Sequence, residues 1–265
     1  MSFNQLFPIS FDLIFYGLIV SPSRATMSQL SYQLASQGVV VAAVEHRDGS
    51  GCGSSFVTET EAGDLVTCPV PHRHVAAGRG EYEARHGQIR QRSDEIRRVI
   101  DILAKLNAGE SIPTLVDTDV DLTGLASCLD MTTNLFLLGH SFGGSSVLLA
   151  ASEDPRVKAV LALDPWMFPL SRHKFTIRTP TEIINTEKFL NHNNVKVIKN
   201  AAIDDSVVKF RVMGSGVHLS ATDVPAVFLS QAIRRGLGFM DKVEPEQVME
   251  ETNQLVLRWL QKHIC

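Results

Sequence analysis

Residues 139–143, Gly-His-Ser-Phe-Gly, constrain the fold more than any other part of the sequence. They fit the G-x-S-x-G pattern, in which a serine occupies a turn so tight that the neighbouring positions need glycine. An apolar run at 134–138 precedes the motif, and small and apolar residues follow it at 145–151. This order predicts a buried strand, a sharp turn and a helix, with the Ser141 hydroxyl exposed at the sheet edge and at the helix start.

Length and composition favour an ordinary globular protein. The chain has 265 residues, 44% of them hydrophobic and 20% charged, so we expect residues 1–265 to form a single domain. A net charge of −4 without a dense Lys/Arg run argues against a nucleic-acid partner. The longest wholly apolar stretch, 13–20, is too short to span a bilayer and lacks the basic start of a signal peptide. We therefore expect a cytoplasmic protein, or one whose natural N-terminus is missing.

Several apolar runs predict a parallel sheet. Residues 11–16 and 39–44 flank a helix-like run that ends at Gly38, and strand, helix, strand implies a right-handed crossover with parallel pairing. Further strands are predicted at 157–163, 181–185 and 207–213, and further helices at 81–106, 194–202, 225–234 and 245–263. The fold class is therefore α/β, with a mostly parallel central sheet flanked by helices.

Residues 52–79 lack any hydrophobic period and predict a long surface connection of the kind that forms lids or binding loops. This segment contains His72 and His74, which could pair on a metal, but no third ligand is apparent nearby and exposed loop histidines explain them better. The four cysteines show no C-x-x-C spacing, which argues against a zinc site or a disulfide framework. We expect neither a metal nor a cofactor.

Two titratable residues stand just past predicted strands, where α/β sheets gather catalytic groups: Asp164 and His218. Pro165 disfavours helical geometry for the residue before it, so we expect Asp164 in an extended conformation at its strand end. A serine becomes a nucleophile when a neutral imidazole accepts its proton and a buried carboxylate orients the imidazole. In α/β-hydrolases the chain order is serine, acid, histidine. We therefore predict Ser141 as nucleophile, Asp164 as acid and His218 as base.

Other candidates for these roles are less well placed. Four histidines lie close behind the acid strand, on the terminal helix or beside the nucleophile, and two aspartates precede a strand: His173, His192, His263, His140, Asp204 and Asp205. We expect His140 to point away from the serine hydroxyl. The polar turn at 45–51 has two interpretations, a charged network under the active-site rim or direct chemistry. The structural interpretation is favoured because every residue that the chemistry needs can be found elsewhere in the sequence.

Three segments resemble the platelet-activating factor acetylhydrolase family, in its plasma and intracellular type II branch: residues 34–48, 139–144 and 163–170. The run at 48–51 is most similar to fungal members, and the resemblance extends over roughly residues 11–237. It implies an α/β-hydrolase fold and calcium-independent hydrolysis of the sn-2 acetyl or short oxidised acyl ester of a phospholipid. It gives Ser141, Asp164 and His218 the roles already predicted.

The resemblance also implies an oxyanion hole built from the backbone N–H groups of Phe142 and Leu18. The first is expected on general grounds, because the residue after the nucleophile supplies one donor. The second lies in residues 15–20, Phe-Tyr-Gly-Leu-Ile-Val, where the family has Ser-His-Gly-x-Gly. Ile19 and Val20 resist the positive φ that glycine accepts, and loss of one donor costs about 10²–10³ in rate. The chain also begins close to this strand, so we expect N-terminal edge strands to be missing.

The aromatic pair after the acid, Trp166 and Phe168, is predicted to form an apolar wall of the substrate pocket or a patch that contacts a lipid interface. Met167 and Leu170 could join it or pack in the core. Three hypotheses follow: an esterase for short sn-2 acyl groups, a general short-chain carboxylesterase or polyester hydrolase, and a weakly active or inactive hydrolase-fold binding protein. The sequence leaves the oligomeric state open.

Overall fold

The computed structural model describes residues 12–17, 24–51, 54–112, 122–214, 216–225, 233 and 243–264. The strands are β1 (Asp12–Gly17), β2 (Val39–Ala43), β3 (Ser55–Glu59), β4 (Leu65–Pro69), β5 (Leu135–His140), β6 (Ala159–Leu163), β7 (Thr181–Thr186) and β8 (Val208–Met213). The α-helices are α1 (Ser28–Ser36), α2 (Glu81–Asn107), α3 (Phe142–Glu153), α4 (His192–Ala201) and α5 (Pro245–His263). Short 3₁₀ helices lie at Arg24–Met27, Leu122–Leu125, Phe168–Leu170 and His218–Ala221.

Six strands form one parallel sheet in the order β2-β1-β5-β6-β7-β8. Every residue of the central strands β5 and β6 is buried, as expected where helices cover both faces of a parallel sheet. The predicted strands lie within two residues of the observed ones, and the predicted α/β class is confirmed.

The side chains of β5 divide between two cores. Leu135 and Leu137 belong to the core under α2 and α3, whereas Phe136 and Leu138 belong to the core under α1 and α5. This division follows from the alternation of side chains along a strand. Because both faces of the sheet are covered, the carboxyl ends of the strands are left as the place where polar side chains can meet.

The connection at 52–79 lies on the surface, as predicted, but it contains regular structure that the sequence does not predict. β3 and β4 form an antiparallel hairpin there, closed by a turn in which the Gly63 N–H donates to the Thr60 carbonyl. Most hairpin side chains are exposed or half-buried, so the segment has no apolar face whose period could indicate strands. His72 and His74 are both exposed, as the loop interpretation expects.

Some predictions concern parts of the chain outside the described residues. Most of the predicted helix at 225–234 lies there, as do residues 1–11, so the expectation of missing edge strands stays a prediction. Within the described ranges, no helix combines the length and the apolar character needed to cross a membrane.

Candidate active site

The site is built on the sharp turn between β5 and α3. Ser141 alone connects the two elements and has φ 55° and ψ −116°, a strained backbone conformation for a residue with a side chain. A Cβ at Gly139 would collide with the backbone carbonyl of Gly143, and one at Gly144 would lie 3.1 Å from the Cα of Pro165. Glycine is therefore required at positions 139 and 144, because neighbouring backbone atoms leave no room for a Cβ.

Backbone hydrogen bonds fix this turn against the end of β6. The Ser141 N–H donates to the carbonyl of Leu163 at 2.8 Å, and the Ser141 carbonyl accepts from the Trp166 N–H at 2.9 Å. Asp164 and Pro165 lie between Leu163 and Trp166 in the sequence, so the same pairing brings the predicted acid beside the predicted nucleophile.

The structure brings the three predicted catalytic residues together. His218 begins the 3₁₀ helix that follows β8, with its Nε2 2.8 Å from Ser141 Oγ and its Nδ1 3.2 Å from Asp164 Oδ2. Ser141 and Asp164 are 5% and 1% exposed, whereas the His218 side chain is 25% exposed. In this geometry a neutral imidazole accepts from the serine hydroxyl and donates its Nδ1–H to the carboxylate.

Thr186, at the end of β7, orients the carboxylate and was not found from the sequence. Its backbone N–H donates to Asp164 Oδ1 at 2.7 Å, and its hydroxyl donates to Oδ2 at 2.7 Å. Asp164 itself has φ 44°, in the left-handed region, so its predicted extended conformation is wrong. Its N–H donates to the Ile184 carbonyl at 2.8 Å. The only local signal would have been a hydroxyl residue at the end of the next predicted strand.

Two rings fix His218, and the sequence indicated neither contact. The half-buried Phe189 stacks on the imidazole with ring centroids 3.7 Å apart and an interplanar angle of 11°. His140 is fully buried and its Nε2–H donates to the His218 backbone carbonyl at 2.8 Å. Burial, followed by the charge of a protonated His218, lowers the pKa of His140 well below 6.5, so His140 acts as a neutral donor.

Of the two predicted oxyanion donors, Phe142 lies within the described residues and Leu18 lies outside them, and both assignments stay predictions. Phe142 is the first residue of α3, and the first four N–H groups of a helix have no acceptor within the helix. Its buried ring lies under the Arg92 guanidinium, 4.6 Å from the ring centroid. Leu18 falls in the range 18–23, which the structure does not describe, so its role stays a prediction.

A buried ion pair lies below the elbow and joins the turn at 45–51 to α2. Arg92 Nε is 2.7 Å from Asp48 Oδ2, and the Ser50 hydroxyl donates to the same carboxylate at 2.7 Å. Burial alone would raise the pKa of Asp48, but the charge and the hydrogen bond of Arg92 more than offset this, and the pKa is lowered. These side chains pair with α2 instead of with Ser141, which agrees with the structural interpretation of this turn.

The aromatic pair after Asp164 lies next to the elbow. Trp166 and Phe168 stack with centroids 5.7 Å apart, both are half-buried, and Trp166 packs edge-on against the Phe142 ring at 5.5 Å. Met167 and Leu170 are fully buried and belong to the core. The assignment of Trp166 and Phe168 to a substrate pocket stays a prediction.

Apart from His140, which contacts His218, the alternative candidates lie elsewhere. His192, Asp204 and Asp205 are exposed, while His173 packs against the His86 ring and His263 against the Trp259 ring. Within the described residues, three potential metal ligands converge, and their ligand atoms lie within 4.8 Å of one another: His140, Asp164 and His218. A metal ion there would have to displace the hydrogen bond between His218 and Asp164, so hydrogen bonding explains the cluster better.

The parallel sheet and the elbow between its central strand and a buried helix define an α/β-hydrolase. The model of the family described as platelet-activating factor acetylhydrolase, isoform II, matches residues 6–265, and the chain belongs to this family. It is 29% identical to the platelet-activating factor acetylhydrolase of Gallus gallus, over 96% of this chain and 62% of that protein. The corresponding protein of Cavia porcellus is 31% identical, over 96% and 58%.

The chain thus spans about three-fifths of the length of these curated relatives. Among solved structures, a ferulic acid esterase from Streptomyces cinnamoneus superposes with a TM-score of 0.68 at 21% identity. That match covers 97% of this chain and 68% of the esterase chain. At this identity the similarity supports the fold alone.

Proposed function

We propose that the chain is a calcium-independent serine hydrolase that cleaves the sn-2 acetyl or short oxidised acyl ester of platelet-activating factor-like phospholipids. The observation that carries the proposal is the line of contacts from Ser141 Oγ through the His218 imidazole to the buried Asp164 carboxylate. Membership of the acetylhydrolase family supports the choice of ester.

The mechanism follows from this geometry. Ser141 Oγ attacks the ester carbonyl while His218 Nε2 accepts the hydroxyl proton, and Asp164 stabilises the imidazolium that forms. The Phe142 N–H, with that of Leu18 in our proposal, donates to the oxygen that becomes negative. The lysophospholipid alcohol leaves with the proton from Nε2. Water then gives a proton to His218 and attacks the acyl-serine, which releases the carboxylic acid and restores Ser141.

Trp166 and Phe168 supply apolar surface beside the nucleophile, which suits a short acyl chain or contact with a lipid interface. We also expect the apolar wall formed by Trp166 and Phe168 to make long-chain esters poor substrates.

The test is hydrolysis of p-nitrophenyl acetate, p-nitrophenyl butyrate and a 2-acetyl phospholipid by the folded protein, without calcium. We expect turnover of all three, and a loss of at least about 10³-fold in kcat for Ser141→Ala. Ser152→Ala is the matched control. Its hydroxyl lies at the far end of the same helix and, among the described residues, donates only to the Leu149 carbonyl. Full activity in Ser141→Ala would contradict the proposal.

Two results would favour the other hypotheses. Equal rates on phospholipid and simple esters, over a scan of head groups and acyl lengths, would favour a general carboxylesterase or polyester hydrolase. The altered sequence at 15–20 favours the third hypothesis, a binding protein with little turnover. Folded protein that binds phospholipid vesicles but hydrolyses none of the three esters would support it.

A further inference from the structure

Two buried arginines, seven positions apart on α2, differ in their partners. Arg92 is 2% exposed and paired with Asp48. Arg85 is 9% exposed, and within the described part of the chain no carboxylate lies within ion-pair distance of its guanidinium. Its one side-chain hydrogen bond there is from Nη1 to Gln88 Oε1 at 3.0 Å, and its Nε is buried without a partner.

Two carboxylates, Asp48 and Glu81, act electrostatically on Arg85, but both already have hydrogen-bond partners. Asp48 is held by Arg92 and by Ser50. Glu81, in the first turn of α2, accepts a hydrogen bond from the Gly78 N–H at 3.0 Å. Arg85 therefore carries a positive charge that is nine-tenths buried and that its nearest acidic neighbours do not neutralise by contact.

The Trp166 ring lies between the Arg85 guanidinium and the elbow. The Arg85 guanidinium carbon is 5.7 Å from the centroid of the Trp166 ring. The Trp166 ring in turn packs on Phe142, and the Trp166 backbone N–H donates to the Ser141 carbonyl. A group bound at Arg85 would thus lie on the side of the site formed by the predicted apolar wall.

A buried charge is costly unless an opposite charge and hydrogen bonds compensate for it. The planar guanidinium fork matches the oxygens of carboxylates and phosphates. We propose that Arg85 binds an anionic oxygen group of the ester substrate and thereby selects charged over uncharged esters. The anion is either the phosphate of the lysophospholipid leaving group or a carboxylate at the end of a short oxidised acyl chain. The inference rests on the proposed function and adds a specificity-determining residue to it.

The experiment compares two pairs of esters that differ only in the anionic group. One pair is a 1-alkyl-2-acetylglycerol and the same molecule with phosphate at the third carbon. The other is p-nitrophenyl butyrate and the p-nitrophenyl monoester of glutaric acid. The variants are Arg85→Met and Arg85→Lys, with Arg172→Met as control. The Arg172 side chain is 69% exposed, and its guanidinium lies over the ring of Tyr82.

We expect Arg85→Met to lower kcat/KM for at least one anionic ester by at least about tenfold, mainly through KM. The matched uncharged esters should change less than about threefold, and Arg85→Lys should keep part of the selectivity. The pair that responds identifies the phosphate or the carboxylate as the group bound. Arg172→Met should leave both ratios unchanged.

Equal losses on charged and uncharged esters would show that Arg85 has only a structural role and would overturn the inference. If Arg85→Met does not fold, the test is inhibition of the wild type: glutarate or glycerophosphate should compete with p-nitrophenyl butyrate, and absence of competition by both overturns it. A wild type that hydrolyses none of the four esters contradicts the proposed function itself, so the two failures are distinct.

Discussion

Two buried aspartates at the same edge of the sheet, Asp48 and Asp164, have different partners. The Asp48 carboxylate meets Arg92 and the Ser50 hydroxyl. The Asp164 carboxylate meets Thr186 and the imidazole of His218. Arginine keeps its proton at any ordinary pH, so the pair with Asp48 is permanent. An imidazole exchanges its proton near neutrality, so Asp164 supports a group that can do acid–base chemistry. The two carboxylates are both buried, so the partner of each one, and not its burial, distinguishes the structural carboxylate from the proposed catalytic one.

The largest effect is expected for Asp164→Asn. The amide keeps the size of the side chain but favours the wrong tautomer of His218, and kcat should fall by about 10⁴-fold. Hydrolysis of p-nitrophenyl butyrate measures this, with the circular dichroism spectrum as a control for folding. A fall of less than tenfold, in folded protein, would mean that Asp164 does not orient the base.

Asp48→Asn should act on stability instead. Removing one partner of a buried pair leaves Arg92 uncompensated, at a cost of about 3–5 kcal/mol in the free energy of unfolding. Urea unfolding measures it, and the protein that remains folded should keep most of its kcat. Arg92→Met supplies the second arm of a double-mutant cycle, in which the double variant should lose less than the sum of the two single changes. Strict additivity would show that the pair is not coupled.

The pH dependence of the free energy of unfolding should distinguish the contribution of the buried histidines from that of the carboxylates, because the two kinds of group titrate in different pH ranges. Burial is the largest cause of the lowered pKa values of His46 and His140, and the charge of Arg92 adds to it at His46. Below pH 6.5 the unfolded chain binds these protons and the folded protein does not, so the free energy of unfolding falls as the pH decreases. Each such group contributes up to about 1.4 kcal/mol per pH unit.

Urea unfolding between pH 7.5 and 5 measures this slope, and His46→Gln should reduce it. The pKa values of His173 and His263 are also lowered, mainly by burial, and act in the same direction. The lowered pKa of Asp48 adds a second loss only below about pH 4. An unchanged slope in folded His46→Gln would contradict the buried, neutral state of this histidine.

The smallest effect is expected for Phe189→Leu. A stacked aromatic pair is worth about 0.5–1.5 kcal/mol, so loss of the ring that lies on His218 should lower kcat by about two- to tenfold with little change in KM. Phe189→Tyr keeps the ring and should keep kcat. If the leucine and tyrosine variants behave alike, the stack does not position the imidazole.

The sequence predicted the residues whose signals are local. Ser141 was found from the glycines around it, and Asp164 and His218 from their places after apolar runs. The contacts of Thr186 with Asp164, of Phe189 with His218 and of Arg92 with Asp48 join residues at least 22 positions apart. No local period or motif predicts such a contact, because each contact depends on how the parallel strands and helices pack side by side. The hairpin of β3 and β4 was missed because it buries too little apolar surface.

Labelling with a fluorophosphonate tests most directly whether Ser141 is an activated nucleophile. Intact-mass spectrometry should show one adduct per folded chain, and peptide mapping should place it on Ser141. Ser141→Ala should show none, and Ser152→Ala should label like the wild type. An adduct on another residue, or a folded wild type that does not react, would contradict the account.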